Sequence, residues 1–222
     1  MTSPRLRLAV FDCDGTLVDS QHVIVACMHT AFASEDLPPP AAADIRRVVG
    51  LKLAECIARL APDEAPARHA RIVEAYRAEF FARRTRPGHH EPLFDGCRAA
   101  LDAIEAQGWL LGVATGKTRR GLDAVLEQHG LGRRFVTLQT SDTGPGKPHP
   151  DMLHRALAEA GVSPQDSVMI GDTTFDIEMA RRAGVTGIAV AWGYHSRAEL
   201  VAAGAAALVE RFDQLTALLA DR

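Results

Sequence analysis

Two aspartates, Asp12 and Asp14, stand one residue apart in the stretch FDCDGTLVDS, directly after the mostly apolar run at residues 6–10. An apolar run bounded by Asp-Gly predicts a short buried strand that ends in a turn. Carboxylates at the end of such a strand are costly to bury unless a positive partner compensates their charge. The stretch therefore predicts a site in which the two aspartates meet a cation.

Polar residues also end the other predicted strands. Thr115 and Gly116 follow WLLGVA, Lys147 lies in a loop after FVTLQT, and Asp172 follows SVMIG with Asp176 four residues on. Ligands of open α/β sheets bind beyond the carboxyl ends of the strands, so we expect these side chains to converge. Carboxylates suit Mg²⁺, which usually completes its shell with substrate phosphate. The ammonium, the hydroxyl and the backbone N–H groups near Gly116 would then bind that phosphate.

The elements that position these residues alternate along the second part of the chain. From about residue 91, short apolar runs alternate with amphipathic segments, which predicts an α/β fold with a parallel sheet covered by helices on both faces. The first strand, residues 6–12, joins this Rossmann-like core from far away in sequence. The other predicted strands are 109–115, 135–140, 167–172, 185–190 and 206–210, and the predicted helices include 97–107, 118–129, 151–160 and 175–183.

Residues 20–86 contain no comparable run and show helical periodicity instead. Prolines break this region into segments, and Pro87-Gly88 closes it. We therefore predict two domains, an α/β core of residues 1–16 and 90–222 and an inserted α-helical cap of residues 17–89.

Composition limits the classes of function. The net charge is −3 and the 25 basic residues are scattered, which does not indicate nucleic-acid binding. No apolar stretch approaches the ~20 residues of a membrane span and no secretory segment is evident, so we expect a cytoplasmic protein with no membrane partner. The four cysteines form no C-x-x-C pair, which fits reduced thiols. We expect a monomer or homodimer that acts on a small molecule.

The polar residues fall into four motifs that resemble those of the haloacid dehalogenase superfamily of phosphotransferases. The first motif, D-x-D-G-T, is similar to residues 12–16, and the second, a Thr or Ser at a strand end, is similar to Thr115. The third, a Lys before Pro, resembles Lys147 in GKPHPDML, and the fourth, G-D-x-x-x-D, is similar to residues 171–176. Four motifs in this order are strongly specific. GKPHPDML and AWGYH are also similar to the phosphoglycolate phosphatase-like branch.

The resemblance implies a Mg²⁺-dependent phosphatase for small-molecule phosphate monoesters, with phosphoglycolate as one candidate. Asp12 would be the nucleophile that forms an aspartyl-phosphate. Asp14 would protonate the leaving alkoxide and then activate water. Thr115 and Lys147 would complete the catalytic set.

The same resemblance assigns the binding residues. Substrate would be bound by Thr115, Gly116 and Lys147, and Lys52 in the cap would help to select it. The metal would be held by Asp12, by the backbone carbonyl of Asp14 and by Asp172. Asp176 would support the metal directly, through water, or by holding Lys147.

Three other enzyme activities and a non-catalytic role are compatible with parts of this pattern. A sugar-phosphate mutase similar to β-phosphoglucomutase would carry the same motifs, so the sequence does not separate it from a phosphatase. A dehalogenase is disfavoured because Asp14 is present, a phosphonatase because Lys52 is the only lysine of the cap, and a non-catalytic protein because all four motifs are complete. Lys117 is left out of the catalytic set, since its position just past Thr115 fits a solvated helix start equally well.

Overall fold

The computed structural model describes residues 6–86 and 88–222 of the chain. Its strands are β1 (Arg7–Phe11), β2 (Trp109–Ala114), β3 (Phe135–Gln139), β4 (Ser167–Gly171), β5 (Thr186–Val190) and β6 (Ala207–Val209). They form one parallel sheet in the order β3-β2-β1-β4-β5-β6. The predicted fold class is confirmed, and every predicted strand is found with ends that shift by a single residue at most.

Helices follow each of these strands along the chain and cover the sheet. Within the described residues they are α1 (Gln21–Ala33), α2 (Ala42–Val48), α3 (Leu53–Leu60), α4 (Pro66–Arg84), α5 (Cys97–Ala106), α6 (Arg119–Gln128), α7 (Asp151–Ala160), α8 (Thr174–Arg182), α9 (Arg197–Ala202) and α10 (Phe212–Ala220). The first four follow β1 without an intervening strand and form the predicted helical insertion. The remaining helices alternate with the strands, as the sequence pattern predicted.

Strand β1 shows how the sheet is buried on both faces. Successive side chains of a strand point to opposite faces. Ala9 and Phe11 pack in a cluster with α5, α6 and α10, whereas Leu8 and Val10 pack in a cluster with α7 and α8. Cys13 continues the first of these clusters, so its side chain is part of the core.

The insertion has a hydrophobic cluster of its own. Side chains of all four helices pack together, including Ile24, Ile45, Ile57 and Ile72. A smaller cluster joins the insertion to the sheet domain, because Leu51 and Cys56 pack against Phe175 at the start of α8. The exact domain boundaries stay predictions, and residues 1–5 and Pro87, which those boundaries include, lie outside the described residues.

Candidate active site

The loops that follow β1, β2, β3 and β4 meet at one edge of the sheet. These strands are neighbours, so their carboxyl ends lie side by side. The backbone N–H of Asp12 donates to the Ile170 carbonyl at 2.9 Å, which joins the ends of β1 and β4. Asp12, Thr115, Lys147 and Asp172 are all buried there. The predicted convergence at the strand ends is therefore observed for these four residues.

Lys147 is the positive partner that the first motif requires. Its Nζ lies 2.8 Å from Oδ1 of Asp12 and 2.6 Å from Oδ1 of Asp176, and the whole lysine is buried. Burial nevertheless raises the pKa of Asp12 to about 7, because the loss of hydration outweighs the attraction of Lys147. One ammonium thus compensates this carboxylate only in part.

Asp176 is fixed by the start of helix α8. Its Oδ2 accepts hydrogen bonds from the backbone N–H of Thr173 at 3.1 Å and from the Thr173 hydroxyl at 2.7 Å. This is a capping box, in which the third helical residue bonds back to the N-cap. Since its other oxygen faces Lys147, the geometry matches the alternative in which Asp176 holds Lys147. Direct ligation of a metal by Asp176 stays a prediction.

Asp172 is held by the first motif and by the loop after β5. Thr16 donates its hydroxyl to Oδ1 at 2.7 Å, and the backbone N–H of Tyr194 donates to Oδ2 at 2.9 Å. Gly15 has a φ of +81°, and a Cβ at this residue would lie 2.3 Å from Oδ2 of Asp172. Only glycine adopts this positive φ readily and has no Cβ to collide with Asp172, which explains the glycine of D-x-D-G-T.

The buried carboxylates fit a divalent cation. Carboxylate oxygens of Asp12, Asp172 and Asp176 lie within 4.8 Å of one another, and Lys147 is the only cation that contacts this cluster within the described residues. Oδ2 of Asp12 is buried and has no hydrogen-bond partner in the described part of the chain. Burial, together with the charge of Asp12, raises the pKa of Asp172 well above its usual value. Oxygen ligands with uncompensated negative charge are what Mg²⁺ requires.

Asp14 stands apart from that cluster and has partners of its own. Its Oδ1 accepts a hydrogen bond from the Ser20 hydroxyl and lies 2.8 Å from Nζ of Lys117. The same Nζ lies 3.2 Å from Oε1 of Glu91, which is fully buried. Of the two roles that the sequence leaves open for Lys117, the structure does not match a solvated helix start, because two carboxylates draw its side chain into the site.

Thr115 and Gly116 lie under the loop between α2 and α3. The Thr115 hydroxyl accepts a hydrogen bond from the Lys117 backbone N–H at 3.2 Å. A Cβ at Gly116 would lie 2.7 Å from the Leu51 carbonyl oxygen and 2.8 Å from that of Gly50. The backbone of the insertion thus touches the loop after β2 directly. Helix α6 begins after its N-cap Thr118, so Gly116 precedes the helix rather than starting it.

Lys52 occupies the same loop of the insertion and contacts the loop that carries Lys147. Its Nζ donates to the Gly144 carbonyl at 2.6 Å. A Cβ at Gly146 would lie 2.7 Å from Cγ of Lys52, so the two loops are in close contact. The structure therefore places Lys52 in the wall of the site, with its ammonium engaged by the sheet domain.

The four cysteines, Cys13, Cys27, Cys56 and Cys97, are free and buried, and burial raises the pKa of each thiol. This agrees with the predicted reduced state. Across residues 6–86 and 88–222, none of the helices combines the length and the apolar character that crossing a membrane requires.

Comparison with known proteins places this chain in a family. A family model described as haloacid dehalogenase-like hydrolase matches residues 9–190. A phosphoglycolate phosphatase of Agrobacterium fabrum is 35% identical over 205 residues, which cover 87% of this chain and 84% of that protein. An N-acetylmuramic acid 6-phosphate phosphatase of Pseudomonas putida is 34% identical over 192 residues, which cover 86% and 85%.

Solved structures also share the fold of this chain. A solved structure of a haloacid dehalogenase-like family hydrolase from Streptococcus pneumoniae aligns with a TM-score of 0.84 at 24% identity and covers 96% of this chain and 98% of that one. The resemblance stated from the four motifs, including that to the phosphoglycolate phosphatase-like branch, is confirmed by these matches. This chain therefore belongs to the haloacid dehalogenase-like hydrolase family, and its enzyme class is that of a phosphatase.

Proposed function

We propose that this enzyme hydrolyses small-molecule phosphate monoesters with the help of Mg²⁺, through a phosphoryl group carried by Asp12. The observation that supports this proposal most is the buried cluster of three carboxylates around the single ammonium of Lys147. Buried charges of one sign are costly unless a counter-charge is close. Phosphoglycolate, the substrate named for the Agrobacterium relative, is one candidate substrate.

In the proposed first step, Oδ2 of Asp12 attacks the phosphorus atom. This oxygen has no hydrogen-bond partner among the described residues, while Oδ1 is turned toward Lys147, so the side chain is oriented with one oxygen available. The Thr115 hydroxyl, the backbone N–H groups beside Gly116 and the Lys147 ammonium bind the phosphate oxygens. Mg²⁺ held by Asp12, the Asp14 carbonyl and Asp172 would supply charge neutralisation between the carboxylate and the phosphate.

Asp14 donates a proton in the first half-reaction and accepts one in the second. Ser20 and Lys117 contact its Oδ1, which fixes the carboxyl group and leaves Oδ2 for proton transfer. It protonates the leaving alkoxide, and the resulting carboxylate then removes a proton from the water that attacks the aspartyl-phosphate. One residue serves both steps because the first step leaves it in the form that the second requires.

We further propose that residues 17–89 form a cap that closes over the substrate. The loop with Gly50 and Leu51 already touches Gly116, and the same loop packs on Phe175. Closure of such a loop excludes water from the reacting groups until a substrate fills the site. Selectivity among substrates is therefore expected to reside in the cap.

Metal removal tests the proposal directly. Release of inorganic phosphate from a panel of phosphate monoesters should vanish in excess chelator and return when Mg²⁺ is added, since the buried carboxylates would otherwise repel the phosphate. Full activity in excess chelator would contradict the metal assignment. Conversion of a hexose phosphate into its isomer without release of phosphate would favour a mutase over a phosphatase.

The pKa of Asp12 predicts how metal binding depends on pH. In the folded state this pKa rises from 3.8 to about 7, so the folded protein binds the proton more tightly than the unfolded chain. The free energy of unfolding of the metal-free protein should therefore fall as the pH rises from 3.8 to about 7.

Saturating Mg²⁺ should raise the melting temperature by roughly 5–10 °C at about pH 8. The gain should be smaller at about pH 5.5, where a proton competes for Asp12. An equal gain at both values, measured by scanning calorimetry, would contradict this prediction.

Lys52 offers a test of the cap. Lys52→Ala removes the ammonium that bonds to the Gly144 carbonyl and loosens the contact between the two loops. We expect KM values to rise by roughly tenfold and the ranking of substrates to change, as loss of a charged hydrogen bond implies. The concentration of Mg²⁺ that gives half-maximal activity should stay the same. Arg46→Ala, which removes a cation from the neighbouring helix α2, is the matched control. An unchanged ranking with Lys52→Ala would remove this residue from substrate selection.

A further inference from the structure

The cavity above the reacting groups is much larger than a two-carbon substrate requires. It has a volume of about 740 Å³ and extends from Asp12, Asp14 and Thr115 into the space between the sheet domain and the inserted helices. Cavities of roughly 300–1,000 Å³ enclose ligands of drug-like size. Phosphoglycolate would occupy only the end at which the phosphate binds. The rest of the cavity would then be left to water or to a larger alcohol group.

The wall opposite the reacting groups is mainly apolar and aromatic, and Arg77, Arg84 and Arg120 also line the cavity. Tyr76 and Phe80 stand one turn apart on α4, and their rings stack at a centroid distance of 6.0 Å and an interplanar angle of 19°. Met28 of α1 lines the same space and is buried. Phe81 is 49% exposed at the edge of the cavity, where the Arg120 guanidinium lies 4.1 Å from its ring centroid. An apolar lining of this kind binds an apolar or aromatic group by removing it from water.

Lys117 lies close both to this wall and to Asp14, the residue proposed to protonate the leaving group. Its Nζ lies 2.8 Å from Oδ1 of Asp14 and 5.1 Å from the centroid of the Phe80 ring. The oxygen that Asp14 protonates therefore has the aromatic wall beside it. The alcohol part of the substrate, which is attached to that oxygen, projects into the apolar space.

From these contacts we infer that the substrate is a phosphate monoester whose alcohol carries an apolar body of about the size of an aromatic ring. The inference rests on the proposed phosphatase function and deepens it. Phosphoglycolate, whose alcohol part is one carbon and a carboxylate, would leave the apolar wall uncovered. The enzyme is therefore expected to turn it over less efficiently than a ring-bearing ester.

The experiment compares esters with similar leaving groups, so that differences in kcat/KM report binding rather than bond cleavage. Ethyl phosphate, 2-phenylethyl phosphate and 2-phosphoglycolate are assayed by phosphate release at saturating Mg²⁺, with 4-nitrophenyl phosphate as a reactive reference. We expect kcat/KM for 2-phenylethyl phosphate to exceed that for ethyl phosphate by roughly 10- to 100-fold, the factor that burial of a ring supplies. It should also exceed the value for 2-phosphoglycolate.

A variant with a larger side chain in the cavity tests where the ring of the substrate binds. Ala54 is exposed near the start of α3 and lines the cavity, so Ala54→Trp puts an indole where the apolar body is expected. We expect the ratio of kcat/KM between 2-phenylethyl and ethyl phosphate to fall by roughly tenfold. Ala58→Trp, at an exposed residue one turn further along the same helix, should retain the wild-type ratio.

Each outcome decides between the alternatives. A wild-type ratio near one, or the highest kcat/KM for 2-phosphoglycolate, would overturn the inference and leave the proposed phosphatase function standing. An unchanged ratio in Ala54→Trp would overturn the placement of the apolar body in this cavity. If none of the four esters released phosphate, the proposed function would fail and this inference with it.

Discussion

Asp12→Asn should abolish turnover while the protein stays folded. The amide has nearly the shape of the carboxylate, but it cannot act as the nucleophile that forms the phosphorylated intermediate. Loss of a nucleophile that acts together with other groups costs about 10⁴-fold in kcat or more. The fold should tolerate the change, because burial already raises the pKa of this side chain to about 7 and a neutral group relieves that cost. The measurement is kcat at saturating Mg²⁺, with circular dichroism to establish folding.

Asp19→Asn is the matched control for this variant. Asp19 lies in the same stretch, FDCDGTLVDS, but outside the buried carboxylate cluster. The control should retain wild-type turnover. Substantial residual turnover in Asp12→Asn itself, in protein free of the wild-type enzyme, would assign the nucleophile to another group.

Asp14→Asn should slow the chemistry by roughly 10²- to 10⁴-fold, the range that general acid–base catalysis usually supplies. Its backbone carbonyl remains, so binding of Mg²⁺ and of substrate should be preserved. The loss should depend on the leaving group, since an alkoxide requires protonation whereas 4-nitrophenolate requires little. The first step with 4-nitrophenyl phosphate should therefore suffer less than the first step with an alkyl phosphate.

Rapid mixing of Asp14→Asn with 4-nitrophenyl phosphate should show a burst of nitrophenolate followed by slow turnover. The aspartyl-phosphate forms, but without the base the attacking water is not activated and the intermediate accumulates. Equal slowing of alkyl and aryl esters with no burst would mean that Asp14 is structural, or that it binds the metal through its side chain.

The residues at the strand ends could be predicted from the sequence because their positions follow from the fold alone. Asp12, Thr115 and Asp172 each follow a short apolar run, and in a parallel sheet such ends meet at one edge. Lys147 lies further from its strand, and its assignment depended on the order of the four motifs. Helix α8 could be predicted as well, but only the structure shows that Asp176 caps this helix and pairs with Lys147 at the same time.

The surroundings of Asp14 could not be predicted. Lys117, Glu91 and Ser20 come from three separate segments, and nothing in their local sequence indicates that they meet. One available signal was the rarity of lysine, since Lys117 is one of three lysines among 25 basic residues. The contact of Gly50 and Leu51 with Gly116 is likewise a property of the folded chain, because periodicity predicts helices but not where a loop between them lies.

Isolation of the phosphorylated protein would show directly whether Asp12 carries the phosphoryl group. Asp14→Asn is mixed with 4-nitrophenyl phosphate and Mg²⁺, quenched in acid within the burst, and analysed by intact-protein and peptide mass spectrometry. We expect one added phosphoryl group per chain, located on Asp12 and absent from the double variant Asp12→Asn, Asp14→Asn. A phosphoryl group on any other residue, or a burst without phosphorylated protein, would contradict this assignment.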